Sequence, residues 1–163
     1  MAEIPTNRLR RIGALVVAVL LCEGVGLIAG IATQSSVQTW YPTLTKPSFT
    51  PPGWLFAPVW IALYAMMGVA AWMVWMRGAS AKRQRALGWF AVQLVLNALW
   101  SIIFFGMQAP GGGLITIVVL WGAIAVTMRD FLRLRRTAGW LLGPYLLWVT
   151  YAVALNGAIW WMN

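Results

Sequence analysis

Residues 12–32 read IGALVVAVLLCEGVGLIAGIA, 21 residues with a single charge at Glu23. A helix of about 20 apolar residues crosses the hydrocarbon core of a bilayer, so this stretch alone is long enough to span a membrane. Four more stretches of similar character follow, at about 55–76, 87–107, 112–131 and 138–162. Pro58 falls in the first turn of the second, where a missing N–H is harmless, and Pro144 falls in the second turn of the fifth. None alternates apolar and polar residues, which argues against a transmembrane β-barrel. The expected fold is an all-α membrane protein. It is a five-transmembrane-helix bundle forming one domain over 1–163, with a loop at 33–54 between the first two spans. The basic start and apolar run also resemble a signal peptide. The run is long for one, carries Glu23, and ends without a small-x-small cleavage site, so it is expected to stay as an uncleaved span.

Composition agrees. The chain is 61% apolar and 9% charged, with mean hydropathy +0.77; a soluble domain carries about a quarter charged residues. The net charge of +9 would suggest nucleic acid in a soluble protein. Here it follows from topology. Arg8, Arg10 and Arg11 precede the first span. Arg77, Lys82, Arg83 and Arg85 lie between the second and third, and Arg129, Arg133, Arg135 and Arg136 between the fourth and fifth. Eleven of twelve basic residues thus share one side, and Lys46 stands alone on the other. The positive-inside rule then puts the N-terminus in the cytoplasm and the C-terminus outside. No nucleic-acid partner is expected; membrane lipid is. The expected location is a bacterial inner membrane, with the outer membrane as the alternative. Cys22 is the one cysteine, histidine is absent, and the acids are Glu3, Glu23 and Asp130. No metal-ligand spacing occurs among them, so neither a metal nor a required cofactor is expected.

The first span carries small residues every fourth position: Ala14, Ala18, Cys22, Gly26 and Gly30. Such a ladder lets a second helix approach closely in lipid. It serves either a neighbour within the bundle or the seam of a homodimer. Glu23 lies one step off it, and an intramembrane carboxylate raises a functional question by default. The alternative is a hydrogen bond to a neighbouring helix.

Three spans carry faces that are odd for lipid contact. The third has Gln93, Asn97 and Ser101 at i, i+4 and i+8, beside Trp100. The second has Trp60, Tyr64 and Gly68, and the fifth has Trp148, Ala152 and Asn156 with Leu155 alongside. Polar groups stacked on one helical face must point into the protein. Flat aromatic walls with a few convergent polar groups are how small-molecule sites are built. The same amides also serve, in the alternative reading, as staples between helices. The loop from Trp40 to Pro58, WYPTLTKPSFTPPGWLFAP, holds five aromatics and five prolines. Its prolines forbid regular structure and stiffen it, so ordering it loses less entropy. It is placed to close the mouth of the bundle, or to act as an interfacial aromatic belt.

These residues resemble the TspO/MBR family of tryptophan-rich sensory proteins, translocator proteins and peripheral-type benzodiazepine receptors. WYPTLTKPSFTPPGW is similar to that family's WY-x-x-L-x-KP-x-[WF]-x-PP-x-W loop. APVWIALYAMMGVA resembles its second helix, QLVLNALWSIIFFG its third and PYLLWVTYAVALN its fifth. The resemblance covers almost the whole chain. It implies a five-helix bundle, commonly a dimer, whose first loop closes an internal pocket. It implies porphyrin ligands such as protoporphyrin IX and, in animal members, cholesterol and benzodiazepine-type or isoquinoline drugs. It implies a pocket using Tyr41, Leu44, Pro47, Trp60, Tyr64, Asn97, Trp100, Trp148, Ala152 and Leu155. One departure stands out. Gly157 and Trp161 occupy the places of the Tyr and Arg in the animal members' cholesterol-recognition pattern, which lowers the expectation of sterol binding by that route.

The leading expectation is a membrane binding or sensory protein for porphyrin-type tetrapyrroles and other large apolar aromatic ligands. With no histidine, the metal-free macrocycle is favoured over haem. Lys46 is a candidate partner for a ligand carboxylate. Light-dependent porphyrin oxidation, with Trp60 and Trp148 as the redox candidates, is the enzymatic alternative. Transport through Glu23 is a third.

Overall fold

In the computed structural model, which describes residues 5–163, the first span is longer than hydropathy suggests. Helix α1 runs Pro5–Thr39, 35 residues, or about 52 Å at 1.5 Å per residue. Residues 33–39 therefore continue the helix instead of opening the loop. Their hydroxyls fold back onto the turn before: Thr33 Oγ1 donates to the Ala29 carbonyl at 2.9 Å and Thr39 Oγ1 to Ser35 at 2.9 Å. This back-bonding hides polar side chains along a helix. The first proline able to break it is Pro42. The lid is accordingly 40–55, shorter than the 33–54 expected, with single 3-10 turns at Tyr41–Thr43 and Gly53–Leu55. Glu3 lies outside the described residues.

Helix α2 is Phe56–Trp75 and α3 is Ala81–Ser101. The Ser80 side chain caps α3 by accepting from Arg83 N at 3.2 Å, which satisfies one of the free amides of a helix start. A π turn at Ile102–Gly106 extends α3. Gln108, at φ 54°, then reverses the chain into α4, Pro110–Leu134. Arg135 alone links α4 to α5, Arg136–Leu141, and α6 follows at Gly143–Met162. The fifth span, expected as one helix, is thus two. Pro144 has no N–H for the carbonyl one turn back, and its ring crowds that turn, so Leu142 closes α5 with a tighter bond to Gly139. Five segments are long and apolar enough to cross a membrane, and the described residues contain no strand.

Helix α4 packs most extensively against α3 and α6, and α1 against α2. The α1 ladder explains the second pairing. Cys22 is buried. A Cβ on Gly68 of α2 would stand 2.6 Å from Val19 Cα and 2.9 Å from the Ala18 carbonyl. Gly26 lies against the Tyr64 ring. The middle rungs are therefore filled from within the chain, whereas Gly30 faces open space. At the far end from the lid, Asp130 of α4, 7% exposed, binds Arg85 of α3 at 3.1 Å and Arg129 at 3.5 Å. Arg83 Nη1 closes the end of α2 through the carbonyls of Trp75 and Arg77. Trp72 Nε1 donates to the Arg11 carbonyl, tying α1 to the same end.

Gly68→Leu is expected to force α1 off α2, because the obstructing atoms are backbone; overpacking of this kind costs about 1–3 kcal/mol or more. Thermal melts in detergent should show a clear loss for Gly68→Leu and little change for Gly30→Leu. Equal losses would refute the close α1–α2 seam.

Candidate functional site

Beneath the lid, α2, α3 and α6 turn aromatic side chains toward one another. Phe56 and Trp60 come from α2, Trp100 from α3, and Phe104 and Phe105 from its π turn. Helix α6 supplies Trp148, Tyr151, Ala152, Leu155, Asn156 and Ile159, and the lid supplies Tyr41. The α6 residues form one stripe because positions three, four and seven apart share a helical face. Trp60 and Trp100 have ring centroids 6.3 Å apart, Trp100 and Phe104 5.9 Å, and Phe56 and Trp148 6.0 Å. The space left among them is about 30 Å³, room for one or two waters. Sites for drug-sized ligands are roughly 300–1,000 Å³, so here the rings fill their own chamber.

Of the residues singled out from sequence, Tyr41, Trp60, Trp100, Trp148, Ala152 and Leu155 meet in this chamber. Leu44 packs on its lid side against Phe104, Leu155 and Ile159. Pro47 does not line it; its carbonyl accepts from Thr50 N and Oγ1, shaping the lid. Tyr64 and Asn97 lie outside the lining, in a buried hydrogen-bond chain. Tyr64 OH donates to Asn97 Oδ1 at 2.9 Å, Asn97 Nδ2 donates to Tyr145 OH at 2.7 Å, and Tyr145 OH donates to Gln93 Oε1 at 2.8 Å. A second bridge runs from Trp100 Nε1 to Asn156 Oδ1 at 3.1 Å and from Asn156 Nδ2 to the Pro110 carbonyl at 2.8 Å. The polar face of α3 thus acts as a staple, and only its Trp100 reaches the chamber. Lys46 is turned inward on the lid. Its amine donates to the Pro42 and Leu44 carbonyls at 3.2 Å and sits 4.9 Å from the Tyr41 ring centre. Glu23 has no salt bridge among the described residues, and no α1 residue lines the chamber.

Sequence reasoning passed over Phe56, Phe104, Phe105, Tyr151 and Ile159 as site residues. The two phenylalanines sit on a π turn, a distortion common at functional sites that periodicity does not reveal. Tyr151 and Ile159 were within reach, since both belong to the stripe of Trp148 and Leu155. No carboxylate, thiol or lysine lines the chamber. No group of three or more His, Cys, Asp or Glu able to hold a metal occurs among the described residues. Burial, with a smaller contribution from Tyr151, pushes the Tyr41 hydroxyl above its ordinary value, so it stays a neutral phenol near pH 7. The chamber wall is therefore apolar and aromatic, with a few neutral donors and no charged group.

Comparison with known proteins found a family model described as the TspO/MBR family, matching residues 18–162. The chain is 44% identical to the tryptophan-rich protein TspO of Chlorobaculum tepidum, over 94% of this chain and 98% of that protein. It is 41% identical to the tryptophan-rich sensory protein of Cereibacter sphaeroides over 72% of each chain. It is 38% identical to the translocator protein of Homo sapiens over 74% of this chain and 73% of that one.

Asn97→Leu removes the two bonds that join α2 and α6 through α3, leaving the buried Tyr64 hydroxyl without a partner and Tyr145 with only its bond to Gln93. Each unsatisfied buried group costs about 1–3 kcal/mol. The melting temperature should fall well below that of Ser101→Ala on the same helix. A fall no larger than that control would refute the staple.

Proposed function

Because the chain belongs to the TspO/MBR family, we propose that this integral membrane protein binds and senses flat, apolar, porphyrin-type tetrapyrroles between its aromatic walls. The observation that carries this reading is the chamber itself: Trp60, Trp100 and Trp148 converge on the small Ala152 under a stiff lid. Large aromatic faces stack favourably on indole and phenol rings. A macrocycle entering here displaces these rings and replaces ring–ring contacts with ring–ligand contacts of the same kind. The absence of histidine favours a metal-free ring such as protoporphyrin IX. Curated relatives carry the names tryptophan-rich sensory protein and translocator protein, which suit a ligand-responsive membrane protein. In the same reading the basic end faces the cytoplasm of a bacterial cell and the lid faces outward. A homodimer forms through the exposed side of α1.

Protoporphyrin IX titrated in the dark into detergent-solubilised protein should quench tryptophan fluorescence saturably. Trp148→Phe and Trp60→Phe should weaken binding. Ala152→Phe should raise Kd at least about tenfold, equivalent to about 1.4 kcal/mol. Absence of saturable quenching in the unmodified protein would overturn the proposal. Loss of the porphyrin spectrum only on illumination would redirect it toward light-driven oxidation at Trp60 and Trp148.

A further inference from the structure

The lid meets α6 at two polar points. Asn163, just past the end of α6, pairs with the peptide of Thr45 in both directions. Thr45 N–H donates to Asn163 Oδ1 at 2.9 Å, and Asn163 Nδ2 donates to the Thr45 carbonyl at 3.0 Å. This reproduces with a side chain the two-way exchange made by paired residues of neighbouring strands. The same Nδ2 also donates to the Ile159 carbonyl at 2.8 Å, which pins the amide to the last turn of α6. At the other point, Tyr151 OH donates to the Phe49 carbonyl, and its ring meets Phe49 edge-on at 6.2 Å.

Between these points lies a partition. Trp40 stands edge-on to Phe104 at 5.8 Å, and Leu44 packs against Phe104, Leu155 and Ile159. On their other side runs an outer groove of about 470 Å³, lined by Trp40, Leu44, Gln108, Gly111, Trp160 and Asn163. Trp40 and Leu44 thus line this larger groove on one side and pack on the other against the Phe104, Leu155 and Ile159 wall of the chamber of about 30 Å³. The Asn163–Thr45 pair lies one residue from Leu44 in the lid.

We infer that Asn163 and Tyr151 form a latch, and that releasing Asn163 from Thr45 joins the groove to the chamber and admits the ligand. The inference rests on the binding reading for its ligand, though not for the latch. The four prolines at 42, 47, 51 and 52 stiffen the lid, so it swings as a unit when one end is freed. Asn163 and Thr45 are exposed. Water competes for such hydrogen bonds and keeps their net contribution small, which suits a contact that must open and close.

Hydrogen exchange of residues 40–55 in the ligand-free protein tests the latch directly. Asn163→Ala should speed exchange across the whole lid by about tenfold, the effect of losing roughly 1.4 kcal/mol of local stability. Asn163→Asp keeps the acceptor for Thr45 N–H but sets an oxygen against the Thr45 carbonyl, so it should fall between. Tyr151→Phe should speed exchange around Phe49. Stopped-flow dissociation of protoporphyrin IX should be several-fold faster from Asn163→Ala than from the unmodified protein. Lid protection unchanged in both Asn163 variants and in Tyr151→Phe would overturn the latch. Faster lid exchange with an unchanged dissociation rate would overturn its role as the gate. Faster lid exchange with no porphyrin bound by either protein would leave the latch standing and sink the binding reading instead.

Discussion

Asn97 uses the two ends of one amide on two different helices, and the rest of the bundle is arranged around that fact. In lipid there is no water to satisfy a stray polar group, so a carboxamide in the middle of a span must find its partners inside the protein. Here it finds Tyr64 of α2 and Tyr145 of α6. Those are the helices that, with α3, wall the chamber. Low dielectric makes each bond stronger and each unpaired group more costly, so the three helices are held at one distance and one rotation. The chamber has its shape because this staple sets the separation of its walls.

Rigidity is unevenly distributed. At the basic end, Asp130 joins α3 to α4 through Arg85, and Arg83 closes α2. Along the middle, Gly68 lets α2 touch the backbone of α1. Toward the lid the contacts change in kind. Rings lean on rings at 4.7 to 6.4 Å, with tilts that range from 33° to 74°. The lid is held by exposed hydrogen bonds. Ring contacts tolerate a range of offset and edge-on geometries, and exposed hydrogen bonds contribute little net stability. A firm base and an exchangeable mouth are what a protein needs if it is to bind an apolar guest without losing its own fold.

Much of this was legible in the sequence because hydropathy and helical period are local properties. Five apolar runs gave five spans, and eleven of twelve basic residues marked one end. The stripes Trp60–Tyr64–Gly68 and Trp148–Ala152–Asn156 were correctly placed facing inward. Period alone could not say which inward residue touches which. Tyr64 and Trp60 sit one turn apart on the same face, yet one joins the staple and the other lines the chamber.

What the sequence by itself determined is therefore the number of crossings, the end that carries the charge, and the faces that turn inward. Each follows from residues close together in the chain. Only the tertiary structure decided that α1 runs through residue 39, that Pro144 divides the fifth span, and that a π turn brings Phe104 and Phe105 to the chamber. It alone decided that Asn97 is a staple, that the rings fill their own pocket, and that Asn163 reaches Thr45 across 118 positions of sequence. The physical reason is that a polar group in lipid must be satisfied somewhere, while the identity of its partner depends on how distant helices come together.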